Sequence, residues 1–319
     1  MYPIREPADG GHQEERAPDW GGLEDLAKGT AVTSTIDLDA ARALASYKGD
    51  DAVRTANYAT DFPCVRDEVS PQEWQARVDL AACYRLVDLY GMSDLTYNHI
   101  TVRVPGTDTF LINLYGLLYK EVTASSLAKV DLDGNVVWKP GGTDYGVNAA
   151  GYVIHSAIHA ARDDIDAVIH THSLAGMAVA AAKSGLLPLS QHSMRFSGHL
   201  AYHDYEGPAL SEQEKKTLVA DLGEHRAMIL RNHGLLVGGP TVAEAFNLLY
   251  QLEISCRAQV SALAAGRDAV QEPPQEVIDL TAHIFAPGTI RRYGLLEWPA
   301  MLRRVEAESK NSPYPYYAS

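Results

Sequence analysis

Helical and strand-like periods alternate along most of the chain. After Ser70-Pro71-Gln72-Glu73, apolar residues recur at Trp74, Val78, Ala81, Ala82 and Leu86, and Gly91 ends the run. The tetrapeptide has the form of a capping box with proline at the first helical position, so a helix is predicted there. From Tyr97 to Val104 the period drops to two, the mark of a strand, and Phe110 to Asn113 repeats it. Val130 to Trp138 suits a hairpin turning at Asp133-Gly134. Asn148 is placed to cap a helix over 149–162, followed by a short apolar strand, Ala167 to Thr171, and a helix over 174–184. After the turn Glu206-Gly207-Pro208 come a helix over 211–223 and a strand from Ala227 to Leu230. An extended stretch from Leu235 to Val237 then leads to Gly238-Gly239-Pro240. A long helix from Thr241 to Gly266 carries Val242, Ala245, Phe246, Leu249 and Leu252 on one face. Such alternation predicts the α/β class.

The ends read differently. Residues 1–30 are polar and glycine-rich, the composition of a flexible tail; residues 37–48 suit a short helix closed by Gly49, and 50–69 have no clear period. The expected organisation is an N-terminal extension over 1–69, one domain over 70–305 and a C-terminal tail over 306–319, its end (NSPYPYYAS) broken by proline. Among 319 residues, 46% are hydrophobic and 21% charged, an ordinary globular mixture. The net charge of −14 argues against a nucleic-acid or anionic-membrane partner, since phosphate binding is led by Lys and Arg. The three cysteines are scattered without a CxxC motif, no apolar leader opens the chain, and Ser173 to Leu189 is too broken by Lys183, Gly185 and Pro188 to span a bilayer. A cytoplasmic location is the expectation by elimination.

The candidate chemistry lies in the histidines. His170 and His172 are two apart on one predicted strand, so their side chains share a face. That pair suits either a hydrogen-bonded core or a metal site. His233, in Arg231-Asn232-His233-Gly234 directly after the strand AMIL, is placed to aim at a sheet edge. Three imidazoles from two strand ends would leave an ion with open positions, the catalytic pattern. His155 and His159 share one face of a predicted helix, where they suit a hydrogen-bonded, neutral pair, a second ion, or an acid/base role for His155. Gly141-Gly142 and Gly238-Gly239 lack the lysine of a phosphate loop.

Several segments in order resemble the class II aldolase/adducin superfamily: YNHITVRVPG (97–106), FLINLYGLLYKEVTASSLAKVDLDG (110–134), GYVIHSAIHAARDDIDAVIHTHS (151–173), AYHDYEG (201–207) and LRNHGLLVGG (230–239). The resemblance implies a three-layer α/β/α domain with a central mixed, largely antiparallel sheet. It also implies a homotetramer with sites at subunit interfaces. In the sugar-phosphate aldolases of this family an HxH pair and a later histidine bind Zn²⁺; His170, His172 and His233 stand at those positions. One divalent ion per subunit is implied, Zn²⁺ first, with Fe²⁺ or Mn²⁺ as alternatives that imidazole ligands also serve.

The departures matter as much. Gly151 stands where those aldolases carry their catalytic glutamate, and Ala149 and Ala150 stand at two phosphate-binding serines. His99 takes the place of a phosphate-binding asparagine, Gln191-His192 that of an inter-subunit tyrosine, and Gly116 of the phosphate loop is kept. Alanines donate no side-chain hydrogen bonds to a phosphate, so a standard sugar-phosphate aldolase is rejected. The stretch 148–173 looks closer to adducin heads, cytoskeletal modules without known catalysis that generally lack the full triad. The expected function is a metal-dependent lyase acting on a small non-phosphorylated oxo or hydroxy acid, the ion stabilising the enolate left by C–C cleavage or decarboxylation. His155, His192 and His99 are the candidate acid/bases, and Gly116, Asn148, Gly151 and Gln191 the candidate substrate-facing positions. The alternatives are a non-haem Fe(II) oxygenase acting on an aryl-oxo acid, as in one aminocoumarin-forming branch, and a non-catalytic adducin-like module. Tyr314, Tyr316 and Tyr317 belong to a tail expected to be disordered, with reach into a neighbouring subunit's site as the other reading.

Overall fold

Helix α1 (Pro71–Leu89) starts at the predicted cap: the Ser70 hydroxyl accepts from the Glu73 N–H at 3.1 Å. The reciprocal half of the capping box is replaced, because the Glu73 carboxylate is drawn inward to Arg77 (2.9 Å) and Lys129 (2.7 Å). Arg77, fully buried, also donates to the carbonyls of Ala124 and Leu127. The charge is thus paired and hydrogen-bonded, as burial requires. The computed structural model describes residues 57–207, 212–310 and 312–319; the helix expected over 37–48 lies outside them.

Among the described residues the strands are β1 (His99–Arg103), β2 (Thr109–Ile112), β3 (Ala128–Asp131), β4 (Val136–Trp138), β5 (Ala167–Thr171), β6 (Ala201–His203), β7 (Ala227–Leu230) and β8 (Gly234–Gly239). They form one sheet in the order β4-β3-β2-β1-β5-β8-β7-β6, antiparallel at every neighbouring pair except β6 and β7. The remaining helices are α2 (Ala149–Ala161), α3 (Leu174–Ala181), α4 (Gln191–Met194), α5 (Glu212–Leu222), α6 (Val242–Leu263), α7 (Gln275–Phe285) and α8 (Trp298–Ser309). The last two had no signal in the pattern read above. Helices α1, α3 and α6 cover one face of the sheet, α2 and α5 the other, giving the expected three layers.

Strand alternation distributes the residues between the two layers. Ile100, Ile169, Leu235 and Val237 join Leu80, Tyr84, Phe246 and Leu249 in the larger core. Val168, Met228 and Leu236 face the other way, against Ile154, Ile158 and Leu218. His170 and His172 continue the Val168 series, and His99 and Thr101 lie opposite His170 and Val168 in register. Opposed residues of an antiparallel pair share a face. The whole histidine group therefore projects toward α2, and none of it enters the larger core.

Residues on both sides of the 70–305 span are hydrogen-bonded to it. The Val65 N–H donates to Ser125 Oγ at 3.2 Å, and Asn57 joins Asp144 and Gly142 at 2.6 and 2.7 Å. At the other end the tail expected to be disordered is seated on its own chain. Ala124 N–H donates to the Tyr317 carbonyl, Ser125 N–H to that of Ser319, and Arg85 to that of Pro315. Tyr317 is buried in the larger core, so the alternation-based reading missed a segment held by tertiary contacts. No helix of the described residues is long and apolar enough to cross a membrane.

Candidate metal centre

His170 and His172 leave the end of β5, and His233 follows β7. Their ligand nitrogens all lie within 4.8 Å of one another. The His170 and His172 Nε2 atoms are 2.8 Å apart, and those of His172 and His233 2.9 Å. The outer nitrogens decide what this means. His170 Nδ1 lies 2.9 Å from the Leu235 carbonyl oxygen, which only accepts, so Nδ1 carries the proton. His172 Nδ1 likewise donates to Asp94 Oδ2 at 3.1 Å. Both Nε2 atoms are then bare lone pairs facing each other. Such an arrangement calls for a cation between them, and carbonyl and carboxylate partners behind the rings are the usual outer support of histidine ligands. Burial and the neighbouring imidazoles push His170 far below its ordinary pKa and His233 down to about 4, so both are neutral donors near pH 7. The residues present thus fit a divalent ion, with His170 buried and the other two half-buried on the open side.

Local backbone explains the Arg231-Asn232-His233-Gly234 segment. Asn232 has φ +56, a left-handed turn that asparagine tolerates, and it re-aims the chain so that His233 faces the HxH pair. A Cβ on Gly234 would press into the Thr171 carbonyl oxygen and sit 3.3 Å from His172 Cδ2. Leu95, beside Asp94, has φ +45; with Asn232 it makes up the non-glycine residues of positive φ among those described. Left-handed backbone therefore occurs next to both Asp94 and His233, and it is strained at Leu95.

Behind the triad lies a second layer of imidazoles. The His99 ring centroid is 5.6 Å from that of His170 and 4.3 Å from that of His155. His155 is fully buried, with Nδ1 2.7 Å from Thr101 Oγ1, and His159 Nε2 is 2.8 Å from the same hydroxyl. The hydroxyl donates to one ring and accepts from the other. Burial brings His99 and His159 down to about 3 and pushes His155 well below its ordinary value, so the layer is uncharged. His155 and His159 are thus the neutral hydrogen-bonded pair. His99 lies next to both His155 and His170, so His155 belongs to the layer behind the triad.

Gly151 and His99 are coupled. A Cβ on Gly151 would come within 2.7–2.9 Å of the His99 ring. The imidazole occupies the room into which a longer side chain at 151 would project. Glycine inside a helix costs about 1 kcal/mol against alanine, yet here alanine has no space. Gly151→Ala is expected to lose about 1–3 kcal/mol in urea unfolding, as overpacked cores do, and His99→Ala to recover part of it in the double variant. Equal or greater stability of Gly151→Ala would contradict the coupling.

Among the other positions, Gly116 has φ +112 and lies against the Tyr145 ring, and Asn148 precedes α2 with its carbonyl accepting from Tyr152 N–H at 3.3 Å. Gln191 and His192 are exposed on α4. Two supports went unread in the sequence. Asp94 sits in an irregular loop far from the histidines in sequence. His203 is buried with Nδ1 2.8 Å from Asp221 Oδ2, and lines a small crevice with Tyr205, Arg231 and His233. Its Nε2 has no hydrogen-bond partner among the described residues. The alternation AYH places His203 inward, a signal present in the sequence but outweighed by the HxH pair.

Residues 78–260 match the family described as Class II Aldolase and Adducin N-terminal domain. A provisionally named class 2 aldolase of Caulobacter vibrioides is 50% identical over 246 residues, covering 77% of this chain and 94% of its own. Alpha-adducin of Rattus norvegicus is 42% identical over 252 residues, 75% of this chain but 34% of adducin. Among solved structures, an aldolase II superfamily protein from Pseudomonas syringae superposes with a TM-score of 0.73 at 50% identity, over 80% of this chain and 99% of that one. L-fuculose 1-phosphate aldolase from Glaciozyma antarctica gives 0.66 at 26% identity, over 84% and 99%.

Proposed function

The chain belongs to the class II aldolase and adducin family, and from that premise we propose that it is a divalent-metal-dependent lyase cleaving or decarboxylating a small non-phosphorylated oxo or hydroxy acid. The observation that carries the reading is the facing pair of bare Nε2 atoms on His170 and His172, with His233 beside them. An ion held by these three supplies Lewis acidity to the oxygens of an oxo or hydroxy acid and so stabilises the charge left by bond cleavage. Leu235 and Asp94 hold the two rings in the tautomer that leaves the inner nitrogens free. Alanines at 149 and 150 supply no side-chain donors for a phosphate, which favours a carboxylate-bearing substrate.

His203 takes the proton-transfer role left open by Gly151. Asp221 holds its Nδ1–H, which leaves Nε2 bare beside His233, the orientation a general base needs. His203→Ala is expected to keep the bound metal while turnover falls about 10²–10⁴-fold, the usual worth of a positioned acid/base. Unchanged turnover would remove His203 from the mechanism.

The reading is tested by loading the protein with Zn²⁺, Mn²⁺ or Fe²⁺ and following carbon dioxide and aldehyde release from a panel of oxo and hydroxy acids. Product formation that needs the metal supports the lyase. Oxygen uptake confined to the Fe²⁺ form would replace it with an oxygenase. No product with any loaded form would favour an adducin-like interaction module, which the 42% identity to alpha-adducin supports as the second reading.

A further inference from the structure

A cavity of the described residues lies away from the triad. It encloses about 630 Å³, within the usual range for small-molecule sites. Gly238 and Gly239 line it, at the opposite end of β8 from Gly234. Five strand steps separate Gly234 from Gly239, about 17 Å at the usual rise. The cavity and the histidine triad thus occupy opposite edges of the sheet.

One side chain in it is unusual. Arg195 is 9% exposed, and its guanidinium makes no hydrogen bond or ion pair among the described residues. Its neighbours are aromatic: the guanidinium carbon is 4.7 Å from the Phe285 ring centroid and 5.3 Å from that of Tyr293. The other guanidinium groups on the wall are satisfied. Arg226 pairs with Asp164, Arg291 with Glu297, and Arg292 with Glu244. Arg195 is therefore the arginine of this cavity with no carboxylate in hydrogen-bond contact among the described residues. Burial pulls its pKa below the ordinary value, a loss of water that Tyr293 and Glu297 nearby offset only in part. A buried, unpaired charge is costly, whereas a guanidinium edge matches the two oxygens of a carboxylate.

We infer that this cavity is a second ligand site, separate from the metal centre, that takes a small monocarboxylate with an apolar or aromatic body. Arg195 holds the carboxylate. Phe285, Tyr293 and Phe196 line the same cavity and contact the apolar part. A monoanion is favoured over a dianion because a single cation lacks a partner, and Glu244 and Glu297 stand close by.

The probes are benzoate and phenylacetate, with methyl benzoate as the uncharged counterpart, titrated into the full chain by calorimetry and ligand-observed NMR. Binding of the two carboxylates at millimolar concentration is expected, with at least about tenfold weaker binding of the ester, one lost charge-assisted contact being worth that much. His170→Ala should leave benzoate affinity unchanged, because the triad lies at the other sheet edge. Arg195→Ala should lower it at least about tenfold, and Arg195→Lys, which keeps the charge and most of the volume, should fall between. If Arg195→Ala does not fold, the lysine variant and the ester decide. Benzoate binding that is absent, that is shared equally by the ester, or that disappears in His170→Ala overturns the proposal.

Discussion

Replacing His170 with alanine is expected to abolish divalent-metal binding. The wild type should hold about one ion per chain and the variant less than about a tenth of that after desalting, measured by elemental analysis. His170 is 1% exposed and its ring is pinned by the Leu235 carbonyl, so no neighbour can swing in to replace the missing nitrogen. The remaining pair, His172 and His233, gives two donors where a catalytic site uses three. Asp94→Asn supplies the graded comparison. It keeps the three donors and weakens the grip on His172, so metal affinity should fall about 10–100-fold and not vanish. Full occupancy in His170→Ala would show that the ion is not held through His170.

Gly234→Ala should damage both the fold and the site. The added methyl would meet the Thr171 carbonyl oxygen, which is backbone and cannot rotate away. Thr171 lies between His170 and His172, so any shift of β5 that relieves the clash moves both ligands. Overpacking of this kind costs about 1–3 kcal/mol, which thermal unfolding would register as a fall of several degrees. Metal affinity should drop in the same variant by more than the Asp94→Asn loss. A variant that melts with the wild type and holds a full complement of metal would show that β5 and β8 have slack the structure does not display.

The two results separate what holds the ion from what holds the ligands. His170 acts through its own nitrogen. Gly234 carries no side chain and acts by permitting two strands to approach. The same division runs through the rest of the centre: Asn232 and Leu95 contribute backbone shape, and Leu235 contributes a carbonyl.

Much of this was legible in the order of residues. The HxH pair and the Asn-His-Gly segment name the candidate ligands, because strand alternation puts residues two apart on one face and a short side chain after a strand permits a left-handed turn. Apart from α4 and β6, the helices and strands between Ser70 and Gly266 follow from periods of 3.6 and 2. The α/β/α arrangement followed from the motifs that resemble the family. Local sequence reaches that far because periodicity and turn chemistry are decided by near neighbours.

What required the tertiary structure is what depends on distant pairs. The carboxylate behind His172 comes from Asp94, 78 residues earlier, and the Asp221 partner of His203 from 18 residues later. The exclusion of a side chain at Gly151 depends on a ring from β1 packing beneath α2. The tail is seated because Ala124 and Ser125 offer their N–H groups to carbonyls nearly 200 residues away. Spacing along a chain predicts which way a side chain points; what it meets there is decided only when the layers close, since contact energy falls off within a few ångströms.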